Sequence, residues 1–124
     1  QSRSSAASDV YKRQEMDFNE YQAGTKQTRM ESTYAHQLIY PALGLAGEAG
    51  ELAGKVSKIL RDQNGVLKVD DIILLKKEVG DCLWFLSELC ADLGIALEDA
   101  AKANYDKLMD RLRRNVISGS GDER

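Results

Sequence analysis

Four carboxylates are the residues of this sequence best placed to do chemistry. Glu48 and Glu51 stand three residues apart, and so do Glu78 and Asp81. Residues i and i+3 share a helix face, so each pair would present two carboxylates on one side. The midpoints of the pairs are 49.5 and 79.5, and midway between them, at 64.5, lies Asn64-Gly65. If the chain turns there into an antiparallel hairpin, the pairs sit at the same height and four acids converge. Such a cluster repels itself, and partial burial makes its charge costlier still, so cations must compensate. Oxygen-only ligands select hard divalent ions, Mg2+ or Mn2+. With one histidine, His36, and no C-x-x-C, a His- or Cys-rich metal site is excluded, as is the Glu-x-x-His pair of di-iron bundles. Taken singly, either pair reads equally as an ordinary solvated helix face. Their symmetric placement about a turn sets them apart.

The elements that must position these acids are helices. Residues 17–31 form a weakly amphipathic first helix, and Pro41 marks a break or a helix start. From about Ala42 to Arg61, Leu45, Ala49, Leu52, Val56 and Ile59 step along one face. DQNG, residues 62–65, reads as stop and turn, with Gly65 suited to a C-cap. Asp70 or Asp71 can cap a third helix that runs to about Leu93. Its stripe is Ile72, Leu75, Val79, Cys82, Leu86, Leu89 and Leu93, and Gly94 ends it. Beside the stripe runs a ladder of Glu78, Asp81, Phe85 and Glu88, while Glu48 shares a face with Leu45 and Leu52. The acids therefore belong at the edge of the core. A fourth helix starts near Glu98 and ends near Arg114, its acidic start and basic end complementing the helix dipole. The fold class is all-α: an antiparallel helical hairpin with flanking helices, a four-helix bundle over residues 15–117, with 118–124 a flexible tail. A thin hairpin of this length buries little by itself, so association between copies is expected.

The stretch GLAGEAGELAGK, residues 44–55, is poor helix material, because each interior glycine costs about 1 kcal/mol relative to alanine. Gly47, Gly50 and Gly54 fall on one side of the helix. Missing side chains there allow another helix, or a ligand, to approach the backbone beside Glu48 and Glu51.

The remaining composition is bounding. The chain has 124 residues, 43% apolar and 30% charged, with a net charge of -3, which fits one domain. Nothing in that balance points to nucleic acid or an anionic membrane, and the longest apolar run is far short of a membrane span. Cys82 and Cys90, two helical turns apart, cannot bond to each other within one helix and read as free thiols of a reducing cytosol, hence a cytoplasmic protein. Residues 1–14, QSRSSAASDVYKRQ, are Ser-rich and basic and lack the apolar core of a secretory signal. They read as a disordered, non-native tail resembling a translated cloning adaptor. No G-x-x-x-x-G-K-[ST] loop is present, which argues against an ATP-driven motor or kinase.

GLAGEAGEL followed by KKEVGDCLWFL resembles the MazG-type all-α nucleoside triphosphate pyrophosphohydrolases. The likeness spans about residues 17–124. The family pattern is E-E-x-x-E, a spacer and E-x-x-D, and here Gly47 replaces the first acid, as in compact phage-like and dCTPase-like branches. The resemblance implies Mg2+-dependent hydrolysis of a (deoxy)nucleoside triphosphate to the monophosphate and pyrophosphate, for house-cleaning or pool control. It implies Glu48, Glu51, Glu78 and Asp81 as metal ligands, with Glu48 or Glu51 as the proton acceptor. LEDAAKANYDKLMDRLRR is similar to the family's fourth helix, so Asn104, Lys107 and Arg111 would contact the nucleotide; the same residues equally suit a solvated face with intrahelical pairs. Phe85 would line the base pocket, with Trp84 in the core. Lys55 and Lys58 would face phosphate, although Glu51-Lys55 also fits an ordinary i,i+4 pair. Homodimers or homotetramers are implied, with sites near subunit boundaries. The competing reading is a non-catalytic helical module that binds nucleotides or protein partners.

Overall fold

Helix α1 runs over Phe18–Thr28. Asp17 fixes its start: its carboxylate accepts the Glu20 N–H at 2.8 Å, satisfying one of the donors that a helix N-terminus leaves free. A 3-10 helix, Glu31–His36, follows. Then come α2, Ile39–Gln63, α3, Val69–Asp92, and α4, Leu97–Arg113. The computed structural model describes residues 15–124, so the tail expected over 1–14 lies outside the described residues. Among the described residues there is no strand, and the fold is all-α.

Helix α2 begins before the expected Ala42. Pro41 falls in its first turn, where a missing N–H sacrifices no hydrogen bond, and it is fully buried. The chain enters through Leu38, in the left-handed region at φ 66°. The Ile39 N–H donates to the Gln37 C=O at 2.7 Å, closing a tight three-residue turn. The Leu38 N–H donates to Asp92 on α3 at 2.9 Å, so this strained entry is held from outside.

The other end follows the DQNG signal. Asn64 and Gly65 both have positive φ, 53° and 75°, and the N–H groups of both return to the Ile59 C=O, that of Gly65 at 3.2 Å, so the helix ends in a left-handed stop. The left-handed stop thus starts at Asn64, one residue before the glycine. Asp71 caps α3 from its third position, accepting the Lys68 N–H at 2.9 Å and the Gln63 side-chain amide at 2.8 Å. Because Gln63 also donates to the Val66 C=O at 2.8 Å, the loop is tied at both ends.

The α2–α3 hairpin forms the largest helix contact; α1 and α4 lie on α3 and on each other, and α4 does not touch α2. Polar groups hold α1 to α3. Gln22 and Thr25 on α1, Arg29 just after its end, and Ser87 and Glu88 on α3 are all buried. The Thr25 hydroxyl donates to Glu88 at 2.8 Å and lies 2.8 Å from the Ser87 hydroxyl. Arg29 makes two hydrogen bonds to Asp92, at 2.7 and 3.2 Å, lies 3.5 Å from Glu88 and stacks on Tyr34 at 4.2 Å. Gln22 donates to the Ile95 C=O at 3.1 Å and accepts the Leu97 N–H at 3.0 Å, capping the start of α4 from α1.

This reverses one expectation. The ladder residues Glu78 and Glu88 are buried, whereas Ile72, Val79, Leu86 and Leu93 of the apolar stripe are exposed. The reason is that one chain offers nothing to pack on that face. Buried apolar side chains among the described residues are confined to Ile59, Cys90, Leu97 and Pro41. Cys82 and Cys90 are free, as expected. The C-terminal segment returns to α4, where Asp122 lies within ion-pair distance of Lys107, 3.2 Å, and Arg111, 3.3 Å.

Candidate active site

The hairpin brings together three of the four acids. A carboxylate oxygen from each of Glu48, Glu78 and Asp81 lies within 4.8 Å of the others. Glu51 remains exposed on α2, outside this group. Glu78 is buried, Glu48 half-buried and Asp81 exposed. Glu48 Oε2 and Glu78 Oε2 are both buried without a hydrogen-bond partner. An unmet buried acceptor costs about 1–3 kcal/mol, more when charged. Two bare oxygens in an all-oxygen cluster fit a hard divalent cation. Desolvation, and then the charges of Glu51, Asp81 and Glu78, push the Glu48 carboxyl above the usual carboxylate range.

Lys55 pairs with Glu78 across the hairpin, and not with Glu51 one turn back. The physical reason is solvation. The Glu78 side chain is 8% exposed and lacks water's help, whereas exposed Glu51 is already well solvated. An ammonium gains more beside the desolvated carboxylate. That hydrogen bond is the main cause holding the Lys55 ammonium above its ordinary pKa.

The glycines divide into two kinds. A β-carbon at Gly44 would overlap the Phe85 ring. At Gly47, Gly50 and Gly54 nothing lies within 4 Å of such a carbon, so the backbone beside Glu48 and Glu51 is open to an incoming group. Phe85 is wedged against Gly44, with edge-on contacts to Tyr40 at 5.8 Å and Trp84 at 5.0 Å. Trp84, assigned from sequence to the core, instead lines a cavity of about 310 Å³ with Tyr21, Gly24, Thr25 and Thr28. Its indole N–H donates to the Thr28 hydroxyl at 2.8 Å. Tyr21 links this cavity to the acids. Its hydroxyl reaches the Gly80 C=O at 3.5 Å, and burial together with the charge of Asp81 raises its pKa.

Within one chain the α4 residues stay apart from the acids. Asn104 is exposed, Lys107 and Arg111 turn to Asp122, and α4 does not contact α2. Tyr21, Thr28 and Arg29 were missed by the sequence reading. Only Arg29 carries a signal, and a weak one: Gln22, Thr25 and Arg29 recur at i, i+3 and i+7, a core-facing spacing filled with polar residues.

Residues 36–115 match the family model described as the MazG nucleotide pyrophosphohydrolase domain. The chain is 45% identical over 87 residues to the Gene 37 protein of Mycobacterium phage L5, an alignment covering 70% of this chain and 76% of that relative. No solved structure matches.

Proposed function

The chain belongs to the MazG nucleotide pyrophosphohydrolase family, and from that premise we propose that it hydrolyses a (deoxy)nucleoside triphosphate to the monophosphate and pyrophosphate at the Glu48–Glu78–Asp81 cluster. The observation that carries this is the pair of buried, unpartnered oxygens on Glu48 and Glu78. They fit Mg2+ or Mn2+, with Glu51 on the exposed side as a further ligand. A divalent ion there would neutralise phosphate oxygens and make a bound water more acidic. Glu48, or the uncommitted Glu51, takes the proton from the attacking water. Attack at the α-phosphorus follows from the activity of the family. Gly47, Gly50 and Gly54 leave the polyanion room beside these acids.

We assign the base and sugar to the cavity walled by Trp84, Tyr21 and Thr28, with Phe85 holding Trp84 edge-on behind it. Its volume of about 310 Å³ is at the small end of ligand clefts, which suits one nucleoside. The catalytic unit is residues 15–117. A second copy, in a homodimer or homotetramer, covers the exposed apolar stripe of α3 and brings Asn104, Lys107 and Arg111 to the nucleotide. No helix of the described residues is long and apolar enough to cross a membrane, and the free thiols fit a cytoplasmic setting. House-cleaning of damaged nucleotides and control of a normal pool are both served by this chemistry.

The test is incubation with Mg2+ and a panel of canonical and modified deoxynucleoside triphosphates, followed by pyrophosphate detection. Release from at least one is expected. Saturable nucleotide binding with no release from any would favour a non-catalytic binding module.

A further inference from the structure

Lys55 stands where an ion pair and a candidate metal ligand compete for one carboxylate. Among the described residues it is the one cation in ion-pair contact with the cluster. Its partner Glu78, 6% exposed, is buried. The neutralisation is incomplete, because the pair engages Glu78 Oε1 while Glu78 Oε2 and Glu48 Oε2 stay buried without a partner. The Lys55 side chain is itself 40% exposed. It also borders a cavity of about 180 Å³ shared with Lys58. A flexible four-carbon stem in that position can leave Glu78 without unpacking the hairpin.

We propose that Lys55 is an exchangeable counter-ion. It holds Glu78 while the cluster carries no divalent cation, yields the carboxylate when one binds, and then turns to the phosphate oxygens of the nucleotide. This rests on the cluster being a divalent-cation site. A permanent structural partner and an exchangeable one have opposite signatures. Loss of a permanent partner would disorder Glu78 and weaken cation binding. Loss of a competitor strengthens it.

Mn2+ binding to the nucleotide-free full chain, followed by electron paramagnetic resonance, separates the two. Lys55→Met is expected to bind Mn2+ about fivefold more tightly than the wild type, about 1 kcal/mol, the upper range for a partly exposed ion pair. Lys58→Met removes the same charge one turn away and is expected to gain less than about twofold, because a solvated charge without contact is screened. Lys55→Met should also raise the KM of whichever triphosphate the wild type hydrolyses. Unchanged or weaker Mn2+ binding in Lys55→Met overturns the exchange, and so does an equal gain in both variants. If Lys55→Met unfolds in chelator, refolding by Mn2+ at lower concentration than the wild type needs to saturate supports exchange, and failure to refold counts against it. A wild type that binds no Mn2+ removes the cation site itself, a different result from a wild type that binds while Lys55→Met changes nothing.

Discussion

Gly44 on α2 and Phe85 on α3 meet so closely that no β-carbon fits between them. Residues 44 and 85 are equidistant from the Asn64-Gly65 turn, and so are 48 and 81. The contact is therefore the rung of the hairpin one helical turn from the Glu48–Asp81 rung, and it sets how near the acids come. Gly44→Ala is expected to lower stability by about 1–3 kcal/mol, as overpacking does, although alanine is the better helix former. Gly50→Ala, where space is open, should instead stabilise by up to about 1 kcal/mol. Urea denaturation of the two variants checks both signs.

The acids themselves are tested by isosteric neutral replacements. Glu48→Gln, Glu78→Gln and Asp81→Asn are each expected to reduce pyrophosphate release about 10²-fold or more, with an unchanged helical circular dichroism spectrum. Glu48→Gln should also melt higher than the wild type in chelator, because neighbouring carboxylates and desolvation already oppose its charge. Full activity in any of the three variants would refute the site.

Arg29 and Asp92 form a buried pair with side-chain exposures of 0% and 2%. Removing one partner of such a pair costs about 3–5 kcal/mol, because the other charge stays behind. Arg29→Met strands two carboxylates, Asp92 and Glu88, so a loss in that range is expected by chemical denaturation. A loss under about 1 kcal/mol, the level of a surface pair, would show that the seam is solvated.

Acid should dissolve the same seam. Burial alone would raise the Asp92 carboxyl, but the Arg29 hydrogen bond, the Leu38 N–H and the Arg29 charge outweigh it and hold the group below its usual range. A carboxyl depressed in the fold stabilises above its unfolded pKa of about 3.9, and that contribution vanishes as pH falls through the lower folded value. The stability gap between the wild type and Asp92→Asn should therefore be widest near neutrality and narrow below about pH 4. A gap independent of pH would contradict this.

The convergence of Glu48, Glu78 and Asp81 was legible because it needs only a turn and a count of residues from it. The α2–α3 hairpin was legible from the step of three and four along both helices and from the DQNG stop, whereas the first helix ends at Thr28, short of the expected residue 31, and the 3-10 turn at Glu31–His36 was not legible. The choice of Lys55 between Glu51 and Glu78 was not, since it depends on which carboxylate is desolvated, and burial is a property of the assembled hairpin. Nor were the surroundings of the adjacent Trp84 and Phe85, which are decided by Thr28 and Gly44 on other helices. The seam of Gln22, Thr25 and Arg29 was hidden because its partners, Ser87, Glu88 and Asp92, lie 62 to 65 residues on.

That seam has a consequence for alignment. An oily helix face can slide along its neighbour and lose little, since one methyl group replaces another. Hydrogen bonds are indexed. Shifting α1 by one turn, about 5.4 Å, would break the contacts of Thr25 with Glu88, Arg29 with Asp92 and Gln22 with the start of α4 all at once. Helix α1 therefore docks in a single register, and the wall it builds opposite Trp84 keeps one shape.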